Sequence, residues 1–166
     1  MQNIEPMTKF GYEKLQAELN SLKQVERPAI VKAIEEAVAM GDLKENAEYH
    51  AAKERQSQID DRLEDISSIL INAKIVDPSS LEHSRVSFGS TVLLCDLSTD
   101  EELSYTIVGS CESNPSMGLI SFSSPVAKAL LGKEEGDEVN MVLPGGKREY
   151  EVLDVSYKEI VFECHD

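Results

Sequence analysis

Apolar positions along the chain fall into two regimes that meet near Pro78. Before it, they recur at spacings of three and four. Leu15, Leu19 and Leu22 start one stripe, and Ala29, Ala33 and Ala37 continue it, with Ile30 and Ile34 alongside. A second stripe runs Ile59, Leu63, Ile66, Leu70, Ala73. This alternation predicts two long helices meeting along a coiled-coil seam. Thr8 is a candidate N-cap for the first helix, and Pro28 inside its pattern predicts a kink or local break. Between the stripes lies Met40-Gly41-Asp42-Leu43-Lys44-Glu45-Asn46. Gly41 supplies a helix stop, and Asp42 can cap the second helix. An antiparallel hairpin turning near Gly41 results. Arms of roughly 30 residues at about 1.5 Å each give a rod on the order of 45 Å. Its apolar face is narrow, so it should project.

After Pro78 the apolar positions alternate, and Val, Ser, Thr and Gly become frequent. Strands are expected over Val86 to Leu97 (a pair or one long bent strand, interrupted at Gly89), Leu103 to Gly109 and Leu119 to Ser123. A short helix is expected from Pro125 to Leu131, capped by Ser124 and stopped by Gly132. Val139, Met141 and Leu143 form a further strand, Pro144-Gly145-Gly146 a turn. Tyr150, Val152 and Val155, with Ile160-Val161-Phe162, should close the sheet. The fold class is therefore α+β, with a hairpin over residues 1–79 and a β-rich domain over 80–166.

Bulk properties narrow the function. The 166 residues, 41% of them hydrophobic, suffice for one ordinary domain or two small ones. No apolar run nears 18 residues, so no membrane span is expected, and the first nine residues do not resemble a secretory signal. Cys95, Cys111 and Cys164 are widely separated and odd in number, which fits neither a disulfide framework nor a zinc spacing. They read as reduced thiols in a cytoplasmic protein. The net charge is −15, about −5 from residues 1–79 and about −10 from the remainder. Such a surface repels nucleic acid on average. If the protein acts on nucleic acid, another macromolecule must hold it.

That constraint bears on the tip. Asp42 and Glu45 are three residues apart and share a face if the segment is helical. Carboxylates suit hard cations such as Mg²⁺, but two of them make a poor cage, because Mg²⁺ keeps waters and seeks further oxygens, often phosphates. The pair makes chemical sense as half of a site. The plain reading of the same residues is a solvated turn at a helix start.

Three stretches tip the balance. Gly41-Asp42-Leu43-Lys44-Glu45-Asn46-Ala47-Glu48-Tyr49-His50-Ala51-Ala52-Lys53 resembles the signature of the bacterial GreA/GreB (Gre) transcript-cleavage factors. Pro6-Met7-Thr8 with Gly11-Tyr12-Glu13-Lys14-Leu15 resembles the family's start. Ser124 to Lys133 and the Pro144-Gly145-Gly146 turn resemble its C-terminal domain. The resemblance spans nearly the whole chain in one order, and is far more specific than one short motif. It implies an FKBP-like C-terminal domain that docks on RNA polymerase. It also implies a hairpin that enters the polymerase secondary channel when the enzyme has backtracked. There Asp42 and Glu45 would hold Mg²⁺ shared with the polymerase and act on cleavage of the nascent RNA 3′ end. The protein would stimulate the polymerase's nuclease activity without being an enzyme, carry no cofactor when free, and be a monomer.

The chain departs from the pattern at one point. Val38 stands where the family implies a basic residue on the hairpin. Lys44, Lys53 and Arg55 remain as candidate RNA contacts, against a plain reading as a solvated helix face. His50 reads as a solvated residue at a helix start, and His165 and Asp166 as a tail. Gly132-Lys133 is no phosphate loop, since Glu134 stands where Ser or Thr is required. Two further readings compete. One is a peptidyl-prolyl isomerase, which would draw its pocket from Phe88, Tyr105, Phe122, Tyr150, Tyr157 and Phe162. The other is a channel-binding inhibitor, from which the Asp42 and Glu45 pair discriminates.

Overall fold

A computed structural model describes residues 4–41 and 46–163. Cys164, His165 and Asp166 lie outside them. The chain divides into two compact units, one built on Tyr12–Ala73 and the other on Glu5–Gly11 together with the chain from Lys74 onward.

The first unit is the hairpin. Its first arm comprises helix α1 (Lys9–Ser21), a π-helical stretch over Leu22–Glu26, and α2 (Arg27–Ala39); the second arm is α3 (Ala47–Ile71). The break expected at Pro28 is this π stretch, placed just ahead of it. There the Arg27 N–H reaches back five residues to the Leu22 carbonyl. The wider turn leaves Pro28 at the start of α2, where its missing N–H and fixed φ cost little. Leu15, Leu22, Ala37, Ile59 and Ile66 are buried, while Leu19, Ile30, Ala33, Ile34, Leu63 and Leu70 are half-buried and Ala29 is exposed. The seam flanks carry cross-arm ion pairs: Arg62 grips Glu18 through two bonds of 2.7 and 3.0 Å, and Arg55–Glu26 and Arg27–Asp60 each stand at 3.0 Å. The Arg62 bonds hold the Glu18 carboxyl below its ordinary pKa.

Two ends of the arms differ from expectation. Gly41 has φ +121°, the left-handed region that glycine reaches without strain, and it ends α2 as expected. The cap of α3 is Asn46, not Asp42. Its Oδ1 accepts from the Tyr49 N–H at 3.1 Å, and its Nδ2 donates to the Ala37 carbonyl at 2.9 Å. One side chain thus caps α3 and binds the last turn of α2. At the other end, α3 stops at Ile71 and Ala73 leaves the helical stripe to open a strand.

Among the described residues, the second unit holds two sheets. A small one pairs β1 (Glu5–Met7) with β2 (Ala73–Ile75). The large one comprises β3 (Thr91–Asp96), β4 (Glu102–Val108), β5 (Leu119–Ser121), β6 (Glu138–Leu143) and β7 (Gly146–Ser156), in the order β5-β4-β3-β7-β6. Within it the β4–β5 pairing is parallel and the other three are antiparallel. Helix α4 (Pro125–Leu130) buries Ala127 and Leu130 in a core with Val86, Val92, Leu94, Ile107, Val139, Met141, Tyr150 and Val152. Ser124 caps α4, accepting from the Ala127 N–H at 3.2 Å. Two strand expectations need correction. Val86 to Ser90 precedes β3 without being a strand, and Ile160-Val161-Phe162 does not close the sheet, which ends at Ser156. Both neighbours of β7 are already occupied by β3 and β6, so the segment beyond Tyr157 has no edge to join there.

Two buried carboxylates organise this unit. Glu112 accepts from the Thr8 N–H at 2.6 Å, the Thr8 hydroxyl at 2.8 Å and the Gly109 N–H at 3.2 Å. Thr8 also receives the Gly11 N–H at 3.4 Å, so the expected cap of α1 is itself tied to Glu112. A β-carbon at Gly11 would collide with the Glu112 carboxylate. Asp96, at the end of β3, accepts from the Ser98 hydroxyl and N–H at 2.7 and 2.9 Å and from Arg148 at 2.9 Å. These bonds, those from Ser98 foremost, lower its pKa from 3.8 to about 2.

Both Asp96 and Asn46 are open to direct test. The depressed Asp96 pKa means that its stabilisation is complete above pH 3.8 and is lost as the pH falls through about 2. Urea unfolding across this window should show Asp96→Asn less stable than wild type at pH 7, with the gap closing towards pH 2; a constant gap would refute the assignment. Replacing Asn46 by alanine should cost about 1 kcal/mol of hairpin stability and speed hydrogen exchange at the Tyr49 amide, with unchanged exchange there counting against the cap.

Candidate functional site

The candidate site is the hairpin tip, and its frame is set by the residues on either side. Met40 ends α2, its N–H donating to the Ala37 carbonyl at 3.2 Å while the Gly41 N–H donates to the Val38 carbonyl at 3.4 Å. Asn46 starts α3 and ties back to Ala37. Asp42, Lys44 and Glu45, the carboxylates and one of the basic candidates, lie outside the described residues. The last turn of α2 and the first turn of α3 thus lie at the same end of the hairpin. Met40 is 74% exposed and Val38 48% exposed, so the last turn of α2 offers apolar surface at that end.

The remaining basic candidates part company. Lys53 places its ammonium 5.9 Å from the centre of the Tyr49 ring, one helical turn back towards the tip. Arg55 is engaged across the seam with Glu26 at 3.0 Å. For Arg55 the solvated helix face is replaced by a pair between arms. Tyr49 and His50 meet edge to face at 5.5 Å.

Asn46 is the residue that sequence reasoning missed. The signal was present: Asn is among the best N-caps and stands directly before the uninterrupted helical run from Ala47. Asp42 drew attention because it comes directly after the helix stop.

Donor chemistry decides what the tip can hold. Two carboxylates three residues apart offer hard oxygens suited to Mg²⁺, in a number too small to enclose it. Among the described residues, no three His, Cys, Asp or Glu side chains are grouped to hold a metal. Thiol chemistry is discouraged at Cys95, which is half-buried: burial first, then Asp100, Glu102, Glu151 and Asp96, push its pKa up. In the second unit, Tyr150 is in the core and Tyr105 and Phe122 pack against it, so these aromatics serve packing rather than an isomerase pocket. No described helix is long and apolar enough to cross a membrane.

Known proteins resemble the chain over both units. A family described as transcription elongation factor, N-terminal, matches residues 5–75, and one described as transcription elongation factor, GreA/GreB, C-term, matches residues 81–157. Transcription elongation factor GreA of Helicobacter hepaticus is 61% identical over 159 residues, covering 96% of this chain and 98% of the relative. Its counterpart in Helicobacter pylori is 58% identical over 161 residues, covering 97% and 98%. The solved structure of GreA factor homolog 1 of Thermus thermophilus is 31% identical, covers 93% of this chain and 99% of that one, and superposes with a TM-score of 0.44. With both halves matched in order and relatives at 58% and 61% identity across nearly their whole length, the chain belongs to the GreA/GreB family of transcription elongation factors.

Proposed function

We propose that this elongation factor stimulates RNA polymerase to cleave its own backtracked transcript, with the hairpin entering the secondary channel and Asp42 and Glu45 completing a site in the polymerase. The observation that carries this is a helical hairpin whose arms stop at Gly41 and resume at Asn46, on either side of a sequence that holds two carboxylates, Asp42 and Glu45. Family membership supports RNA polymerase as the partner. The charge of −15 supports a division of labour in which the polymerase, not this chain, holds the nucleic acid.

Each residue has a distinct task in this reading. Asp42 and Glu45 supply carboxylate oxygens that would hold Mg²⁺ together with donors of the polymerase and the RNA phosphate. Bound there, the ion would stabilise charge on the entering and leaving oxygens of the scissile phosphate. The same carboxylates orient an attacking water and can take up its proton. Gly41 ends α2, and Asn46 caps α3 and ties back to the Ala37 carbonyl, so the residues that flank the carboxylates in sequence are held in place. Lys44 and Lys53 are the RNA contacts; Arg55 joins them only by leaving Glu26, a solvent-exposed pair worth about 0–1 kcal/mol. The second unit docks on the polymerase surface, the free protein is a monomer without a resident cofactor, and it works in the cytoplasm.

Adding wild type, Asp42→Ala and Glu45→Ala to stalled polymerase and measuring RNA shortening tests the reading. Both variants should remain folded and lose most of the stimulation, on the order of 100-fold for a charge acting at the reacting centre. Undiminished cleavage by both would sink it. Retained binding with blocked elongation by wild type would favour the inhibitor reading instead.

A further inference from the structure

Segments outside both matched regions build a cleft in the second unit. The family matches omit residues 76–80 and everything after 157. Val76, Asp77 and Pro78, with Glu159, Ile160 and Phe162, nevertheless line one cavity of about 450 Å³, joined by Phe10, Ile75 and Tyr157.

Its walls are preformed. Phe10 and Phe162 stack with centroids 4.5 Å apart and planes 8° from parallel. Tyr157 stacks on His83 at 5.2 Å. The His83 ring is held at both nitrogens: Nε2–H donates to the Pro78 carbonyl at 2.6 Å, and Nδ1 lies 2.6 Å from the Ser90 hydroxyl. A carbonyl only accepts, which places a proton on Nε2. Volume and apolar lining match those of sites that take a compact apolar group. Ile75, Tyr157 and Phe10 remain 52%, 37% and 36% exposed, leaving apolar surface open to water.

Charge selects the occupant. Among the described residues, the lining carries the carboxylates of Asp77 and Glu159 against one ammonium, that of Lys9. A second copy would bring another net −15 to an acidic rim, and like charge opposes that association. We propose that the cleft binds a peptide segment of a partner protein that inserts an aliphatic or aromatic anchor and flanks it with Lys or Arg. The proposal does not involve the hairpin tip, so its failure leaves the transcript-cleavage reading intact.

The test uses the full chain and a fluorescein-labelled synthetic peptide, Lys-Arg-Leu-Phe-Leu-Arg-Lys, read by anisotropy. Binding should saturate, weaken as salt rises, and be absent for the same peptide with Glu in place of Lys and Arg. Ile160→Asp, in a segment outside the sheet, should weaken binding by about tenfold or more while circular dichroism stays unchanged. Glu159→Lys should weaken it several-fold and reduce the salt dependence. Equal binding of both peptides, or unchanged affinity for Ile160→Asp, would overturn the proposal. So would a wild-type dimer in sedimentation that Ile160→Asp abolishes.

Discussion

The hairpin rests on a seam about one side chain wide. Leu15, Leu22, Ile59 and Ile66 are its large buried members, with the small Ala37 buried in the last turn of α2. Each large one contributes roughly 1.5–3 kcal/mol by leaving water, whereas each exposed cross-arm ion pair contributes about 0–1 kcal/mol. The seam therefore holds the arms together, and Glu18–Arg62, Glu26–Arg55 and Arg27–Asp60 fix their register. A small residue at Ala37 also lets the Asn46 side chain reach across to that residue's carbonyl. The last turn of α2 is thereby tied to the start of α3.

Features with a period or a strong punctuator were legible in the sequence. The two helical stripes, the stop at Gly41, the Ser124 cap and the alternating strands from Glu138 onward all have local causes, and the structure keeps them. Features with causes distant in sequence stayed hidden. Strands β1 and β2 are three residues each, too short for a period to register, and they pair across more than sixty residues. Glu112 looks like any acidic residue in a loop until Thr8 and Gly109 converge on it. The π stretch before Pro28 is a third case: proline announces a break, but whether the chain kinks or widens depends on keeping Leu22 in the seam.

What the sequence made legible at the site was donor chemistry, and what it left out was the frame around it. The chemistry of hard donors and a motif single out Asp42 and Glu45, whereas Asn46, which caps α3 and binds the last turn of α2, was overlooked beside a more conspicuous acid. The segment from Tyr157 onward shows the opposite failure. Its apolar run read as a strand because Ile, Val and Phe favour strands, yet the sheet had no free edge for it beside β7, and its side chains line a cleft. Local preference lost to topology there.

The central claim is that the tip supplies half of a metal site. It is tested most directly by the Mg²⁺ concentration needed for half-maximal RNA cleavage in stalled polymerase. The account predicts that the wild-type factor lowers this concentration, and that Asp42→Asn and Glu45→Gln return it towards the value for polymerase alone. The same Mg²⁺ dependence with wild type, with either variant and without any factor would contradict it.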